Sequence, residues 1–152
     1  MIEIYFDGAC GPVNPGGTAA YGFLIKKSGR IISQGSEIIG RGQGMTNNLA
    51  EYHGLIAALK ALLDDDSVQP KDSIAIYTDS SLVFNMISKN WGWNKNKTVW
   101  HPHKDHDHLK KLLFEALSLL ENLNYTIKWV PREQNQPADD LSKKLIFGKM
   151  NS

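Results

Sequence analysis

The opening of the chain alternates apolar and polar side chains. Over residues 2–7, Ile2, Ile4 and Phe6 fall on one face and polar groups on the other, which predicts a strand with one buried face. Residues 18–27 and 31–40 predict two further strands, joined by a hairpin turn at residues 27–30. Residues 8–17 are dense in glycine and proline and predict a loop. Three antiparallel strands are therefore expected first.

The rest of the chain alternates between helical and strand patterns. Apolar residues recur at helical spacing over residues 46–63, 80–88 and 109–122, and short strands are predicted over 73–78 and 125–130. Residues 89–108 look irregular and 131–136 a loop, after which Pro137 opens a last helix. The order βββ-α-β-α-α-β-α predicts an α/β fold, a mixed five-stranded sheet with helices on both faces.

Composition limits the class of protein. The chain has 152 residues, of which 41% are hydrophobic, and this suits a single domain over residues 1–152. No apolar run approaches the roughly 18 residues of a membrane span, and the N-terminus lacks a signal-peptide pattern. Cys10 is the single cysteine and cannot form an internal disulfide. A cytoplasmic protein is expected, without a membrane or an obligate protein partner, and monomeric.

Charge is unevenly distributed although the net charge is only +1. Residues 89–111 hold six lysines and two aspartates. A basic segment of this kind can contact a polyanion. It can equally be a solvated, lysine-rich loop.

One carboxylate falls on an apolar helix stripe. At 100° per residue, Glu51 shares a face with Leu55, Ala58, Leu59 and Leu62. An unpaired buried carboxylate costs several kcal/mol or takes up a proton, so a bound cation is one explanation. The other is a position near the helix rim, stabilised by the helix dipole.

Three further acids stand at the ends of predicted elements. Asp7 and Asp79 follow apolar strands, and Asp139 lies beside Asp140 in the first turn of the last helix. Each alone is explained by the frequency of aspartate at strand ends and helix starts. Together with Glu51 they suggest acids gathered at one sheet edge. Such a set could hold two Mg²⁺ ions about 3.5–4 Å apart for phosphodiester hydrolysis.

The segments around these acids resemble type 1 ribonuclease H, the RNase HI family. The matching segments, in order, are YFDGAC with NPGG from residues 5–17, TNNLAE at 46–51, YTDS at 77–80 and NQPADDLS at 135–142. Order and spacing match over roughly residues 1–147. The resemblance implies the RNase H-like fold and an endonuclease that cuts the RNA strand of RNA–DNA hybrids.

The resemblance also implies residue roles. Asp7, Glu51, Asp79 and Asp139 would be catalytic and bind two Mg²⁺ or Mn²⁺ ions, with products ending in 5′-phosphate and 3′-hydroxyl. Asn14, Thr46, Asn47 and Asn48 match positions that contact the hybrid, including the RNA 2′-hydroxyl. Cys10 falls in the bordering loop, where a small buried apolar role is the alternative.

Three departures from the family pattern stand out. Ser81 occupies a position where many members have a glutamine that contacts a base. Residues 131–135 read PREQN without the usual loop histidine, as in an archaeal-type branch, and Arg132 or Glu133 is a candidate substitute. Residues 89–104 loosely resemble a basic handle. There Trp91, Trp93, Lys95 and Lys97 are candidate substrate contacts, unless the tryptophans fill a local core.

Other functions compete with this interpretation. One is a catalytically weak nucleic-acid-binding module of the same fold, and another is a transposase-like or exonuclease domain. A third is a zinc-binding or metal-storage protein, since residues 101–108 hold four histidines and two aspartates. The presence of all four acids, and of the TNN segment beside Glu51, favours the enzyme that cuts hybrids.

Overall fold

A computed structural model describes residues 1–88 and 109–148. The strands are β1 (Ile2–Gly11), β2 (Thr18–Lys27), β3 (Arg30–Arg41), β4 (Ser73–Thr78) and β5 (Asn124–Trp129). The helices are α1 (Asn47–Leu63), α2 (Ser81–Ser88), α3 (Lys110–Leu120) and α4 (Gln136–Phe147), and a 3₁₀ helix covers Arg132–Asn135. Within these residues the predicted order of elements is confirmed.

The five strands form one mixed sheet in the order β3-β2-β1-β4-β5. β1 pairs antiparallel with β2 and β2 with β3, whereas β4 runs parallel to both β1 and β5. The β2–β3 connection is a two-residue turn in which Ser28 and Gly29 both have positive φ. That geometry matches the twist of a tight hairpin. The predicted mixed five-stranded sheet is confirmed.

Helices cover both faces of the sheet. The apolar side chains of β1, Ile2, Ile4 and Phe6, are fully buried in the same core as Tyr52, Leu55 and Leu59 of α1. A Cβ atom on Gly54 of α1 would lie 3.1 Å from the Tyr21 side chain, whereas one on Gly22 would meet α4. Since successive strand residues point to opposite faces, α1 and α4 lie on opposite sides of β2.

Two predicted boundaries are wrong. β1 continues to Gly11, although residues 8–17 were expected to form a loop, because residues 8–11 keep pairing with β2 as far as Thr18. Residues 132–135 form a 3₁₀ helix that leads directly into α4 at Gln136. Pro137 therefore occupies the first turn rather than opening the helix.

Candidate metal centre and nucleic-acid interface

Asp7 lies inside β1 and not at its end. Four strand residues follow it, and its partner across the antiparallel pair is Gly22 of β2. A Cβ atom on Gly22 would lie 2.5 Å from the Leu141 Cβ and 2.6 Å from the Ala138 carbonyl oxygen of α4. The explanation of Asp7 as a strand-ending residue is therefore wrong, and the missing side chain at Gly22 lets α4 approach beside it.

Gly8 lets α1 approach β1 closely, as Gly22 does for α4. A Cβ atom on Gly8 would lie 2.2 Å from the Glu51 backbone nitrogen, so the two backbones touch where β1 carries Asp7. Glu51 is only 4% exposed and is the fifth residue of a helix that starts at Asn47. Its alternative interpretation as a rim residue beside the helix dipole is therefore wrong.

Asp79 directly follows β4 and is held from several sides. The indole nitrogen of Trp129 donates to its backbone carbonyl at 3.2 Å. The guanidinium of Arg132 lies 4.0 Å from its carboxylate, and Arg132 and Asn135 both act to lower the pKa of that carboxyl. The end of β4 and the segment before α4 thus meet at this acid.

Asn135 connects the start of α4 to the sheet. Its side chain is fully buried and its amide nitrogen donates to the Phe6 carbonyl oxygen at 2.7 Å. Four residues later, Asp139 is 4% exposed and its carboxylate pairs with Lys143 at 3.1 Å. Asp140 is only partly buried and accepts a hydrogen bond from Gln136 at 2.6 Å. The two neighbouring acids therefore differ: Asp139 faces the sheet, while Asp140 faces its own helix turn.

The acids converge as predicted. One carboxylate oxygen from each of Asp7, Glu51 and Asp79 lies within 4.8 Å of the others. Asp139 lines the same cavity as Asp7 and Glu51 and is among the groups that raise the pKa of Asp7. All four therefore belong to one cluster, assembled from β1, α1, the end of β4 and α4.

The electrostatics of this cluster favour a cation. Burial is the largest cause that raises the pKa of Asp7, followed by the charge of Glu51 and the hydrogen bond with Asp139. Burial also raises the pKa of Glu51, to about 8. Burial raises the pKa of Asp79 as well, although the charge of Arg132 opposes this. Without a metal ion, such a cluster must retain protons near neutral pH.

Two buried oxygen atoms supply a direct test of metal fit. Among residues 1–88 and 109–148, Glu51 Oε2 and Asp79 Oδ2 find no hydrogen-bond partner, and the Arg132 guanidinium at 4.0 Å from the latter is a loose ion pair. Buried carboxylate oxygens without a partner are costly. Divalent cations such as Mg²⁺ take oxygen ligands, so the residues present fit such an ion.

A cavity of about 250 Å³ opens beside the cluster. Its wall includes Asp7, Glu51 and Asp139 at one end. Beyond these carboxylates it is lined by Gly8, Ala9, Cys10, Asn14, Asn47, Arg132, Lys143 and Phe147. The cavity therefore joins the acids to several of the residues expected to contact substrate.

Some of the residues predicted to contact substrate line the cavity, and others do not. Asn14 and Asn47 hydrogen-bond to each other, with 2.8 Å between their side-chain amides, and both line the cavity with Cys10. The Cys10 thiol is partly exposed and donates to the Val13 carbonyl at 3.3 Å. Thr46 is the N-cap of α1, its hydroxyl accepting from the Leu49 backbone nitrogen at 3.0 Å.

Other predicted contacts lie outside this cavity wall. Asn48 is partly buried in the first turn of α1, and Ser81 is exposed at the start of α2. Trp91, Trp93, Lys95 and Lys97, and the histidines of residues 101–108, lie outside the described residues. Sequence reasoning missed Lys143 and Phe147 as cavity residues. Their spacing of four and eight residues from Asp139 on a helix was the available signal.

No helix among residues 1–88 and 109–148 combines the length and apolar character required to cross a bilayer.

Comparisons with known proteins agree with this geometry. The RNase H family model matches residues 1–146. Ribonuclease HI of Halobacterium salinarum is 35% identical over 146 residues, covering 95% of this chain and 64% of the relative. Ribonuclease H of Thermoanaerobacter sp. (strain X514) is 37% identical over 158 residues, covering 96% and 90%. The crystal structure of LC11-RNase H1 in complex with an RNA/DNA hybrid matches with a TM-score of 0.76 and 26% identity, covering 97% of both chains.

Coverage of the relatives is uneven. The chain spans 64% of the halobacterial relative and 31% of the bifunctional protein Rv2228c of Mycobacterium tuberculosis. An archaeal and a bacterial relative match at similar identity, so the resemblance to an archaeal-type branch stays a prediction. With the family model matching nearly the whole chain and the acids gathered at one cavity, the chain belongs to the RNase H family.

Proposed function

We propose that this protein is a ribonuclease H that hydrolyses the RNA strand of RNA–DNA hybrids as a monomer. Asp7, Glu51, Asp79 and Asp139 hold two Mg²⁺ or Mn²⁺ ions, and the products carry 5′-phosphate and 3′-hydroxyl ends. Support comes from membership of the RNase H family and from a relative whose structure contains an RNA/DNA hybrid.

One observation carries this proposal: three carboxylate oxygens from separate parts of the chain lie within 4.8 Å of one another, and two buried oxygens of that cluster have no hydrogen-bond partner in the described part of the chain. Mutual repulsion and desolvation both oppose this arrangement. A folded protein that retains it must bind protons or a compensating cation, and a divalent cation provides the larger positive charge. A phosphodiester bound at the same ions is the substrate class that this charge arrangement suits.

Ions held by these four acids would supply two kinds of chemistry, activation of a water molecule and stabilisation of the leaving 3′ oxygen. The chain fixes the ligand positions through acids carried by β1, α1, the end of β4 and α4. Asn135 ties the start of α4 to β1, which sets Asp139 against Asp7. Lys143 and Arg132 place cationic groups beside Asp139 and Asp79, where they also face an incoming phosphate.

Substrate selection is assigned to the polar wall of the cavity. The paired amides of Asn14 and Asn47 present donors and acceptors at its rim, which suits a 2′-hydroxyl that both donates and accepts. Thr46 acts indirectly, since its hydroxyl caps α1 and so positions Asn47 and Glu51. Arg132 lies in the segment where many members of the family carry a histidine that this chain lacks. We assign Arg132 to contact the region of the substrate that this histidine would face.

A cleavage assay tests the proposal. A labelled RNA–DNA hybrid, an RNA duplex and a DNA duplex are compared with Mg²⁺, Mn²⁺ and EDTA, and the product ends are identified. Only the hybrid is expected to be cut, and only with a divalent ion. Cleavage of all three duplexes, or full activity in EDTA, would contradict the assignment.

The variant Asp7→Asn separates catalysis from binding. It keeps the size of the side chain but removes one charged ligand, so Mg²⁺-dependent cleavage is expected to fall by at least about 10²-fold with the fold retained. Asp140→Asn is the matched control because Asp140 bonds within its own turn, and it is expected to retain activity. A wild-type protein that binds the hybrid without cutting it would favour the alternative, a binding module of the same fold.

A further inference from the structure

Helix α4 presents three residues to the cavity at intervals of four. Asp139, Lys143 and Phe147 all line it, as expected for positions that follow one helix face about 6 Å apart. The proposed function uses Asp139 as a ligand and Lys143 as its cationic neighbour. It gives Phe147 no part.

Phe147 is unusually placed for a large apolar side chain. It is 59% exposed, although it shares a cavity with three carboxylates. A Cβ atom on Gly11, the last residue of β1, would lie 2.6 Å from the Phe147 Cζ atom. The ring therefore rests on bare strand backbone with most of its surface facing solvent.

The cavity wall around Phe147 is chemically mixed. Asn14 and Asn47 supply polar groups, whereas Phe147 supplies an apolar surface in the same cavity. A nucleotide has hydrogen-bonding edges and an apolar face, so it matches both. Stacking on an aromatic ring tolerates any sequence, because every base has a π-face.

We propose that Phe147 packs against a nucleotide of the bound hybrid and thereby contributes to the affinity of the cavity for that strand. This rests on the proposed function, because the ligand is the substrate of that same site. Phe147 is a substrate-contacting residue and takes no part in proton transfer or metal binding.

Steady-state kinetics on a labelled hybrid with Mg²⁺ test this proposal. Phe147→Ala is expected to raise KM roughly tenfold and to leave kcat within about twofold, as for loss of binding common to ground and transition states. Phe147→Trp is expected to keep KM near the wild-type value, since it retains an aromatic face. Phe114→Ala is the control, because Phe114 is an exposed phenylalanine of α3 outside this cavity.

A purely structural role predicts a different pattern. If Phe147 only held the end of α4 against Gly11, Phe147→Ala would lower the thermal midpoint and leave KM unchanged, which would overturn the proposal. The contact is uncharged, so the slope of log KM against log salt concentration should match that of the wild type. A changed slope would also overturn it. Absence of cleavage by the wild type would instead contradict the proposed function.

Discussion

At the scale of single residues, two adjacent residues of the same type can have different environments in the fold. Asp139 and Asp140 are adjacent acids, yet one is buried against Lys143 and the other bonds to Gln136. The resemblance selected Asp139, which composition could not do. The structure supplies the physical reason: Asp139 lines the cavity that holds Asp7 and Glu51, whereas Asp140 lines a separate pocket beside Leu24 of β2 and Ile31 of β3.

Arg132 tests how one cation tunes this site. Its charge holds the pKa of Asp79 below the value that burial alone would set, although Arg132 itself is largely exposed. Arg132→Ala is expected to move the acid limb of the kcat/KM–pH profile to higher pH, because Asp79 then loses its proton at higher pH. Profiles at fixed Mg²⁺ measure this shift.

Two further variants serve as controls for the shift in the pH profile. Arg132→Lys retains a positive charge and should restore part of the shift. Arg30→Ala removes an arginine from the hairpin at the start of β3 and should leave the profile unchanged. An acid limb that does not move in Arg132→Ala would mean that this guanidinium does not influence Asp79.

At the scale of elements, glycines determine how closely helices approach the sheet. Gly8, which follows Asp7 in β1, faces the α1 backbone, and Gly22, which pairs with Asp7 in the β1–β2 ladder, faces α4. The helices thus bring Glu51 and Asp139 to the same strand segment from opposite faces. Hydrophobic periodicity predicts that these helices exist, but it does not report their distance from the sheet.

Gly22→Ala probes that approach. Its Cβ would overlap backbone and Cβ atoms of α4, which cannot move aside like the end of a flexible side chain. We expect a loss of about 1–3 kcal/mol in the free energy of unfolding and a fall in kcat, since α4 carries Asp139. Urea unfolding and cleavage rates measure both effects.

Gly29→Ala is the comparison for Gly22→Ala. Gly29 has open space around it but a positive φ, so alanine is strained there by backbone conformation alone. Gly29 lies in the β2–β3 turn, far along the strands from Asp7. Its variant should lose stability with kcat retained. Equal losses of kcat in the two variants would contradict a specific role for the α4–β2 contact.

At the scale of the whole molecule, the acid cluster links folding to pH and to metal. In the metal-free folded state, burial raises the pKa values of Asp7, Glu51 and Asp79, that of Glu51 from 4.5 to about 8. The unfolded chain releases these protons near the ordinary carboxyl values. Between about pH 4.5 and 8 the folded state therefore binds more protons, and its stability falls as pH rises.

Thermal unfolding in EDTA and in excess Mg²⁺ measures this linkage. In EDTA the midpoint is expected to fall between pH 5.5 and 8 by roughly 5 °C or more, and Mg²⁺ should restore most of the loss at pH 8 because it binds the folded state. His53 contributes with the opposite sign, since burial lowers its pKa. The difference between Mg²⁺ and EDTA at each pH removes that contribution.

Asp7→Asn provides the control for this linkage. It removes one buried acid, so its midpoint in EDTA should depend less on pH than that of the wild type. An EDTA midpoint that is as high at pH 8 as at pH 5.5 would mean that the cluster is not strained without metal.

Much of this protein follows from local sequence. Alternation along β1, the helical stripe of α1 and the Ser28–Gly29 turn depend on interactions between near neighbours, so patterns predict them. Distant contacts decided the rest. Pairing with β2 extends β1 through residues 8–11, and an amide on Asn135 reaches Phe6 across 129 positions. Packing of α4 places an exposed Phe147 in the cavity. Periodicity records which face of an element is buried, whereas the distance between two carboxylates depends on how closely their backbones approach.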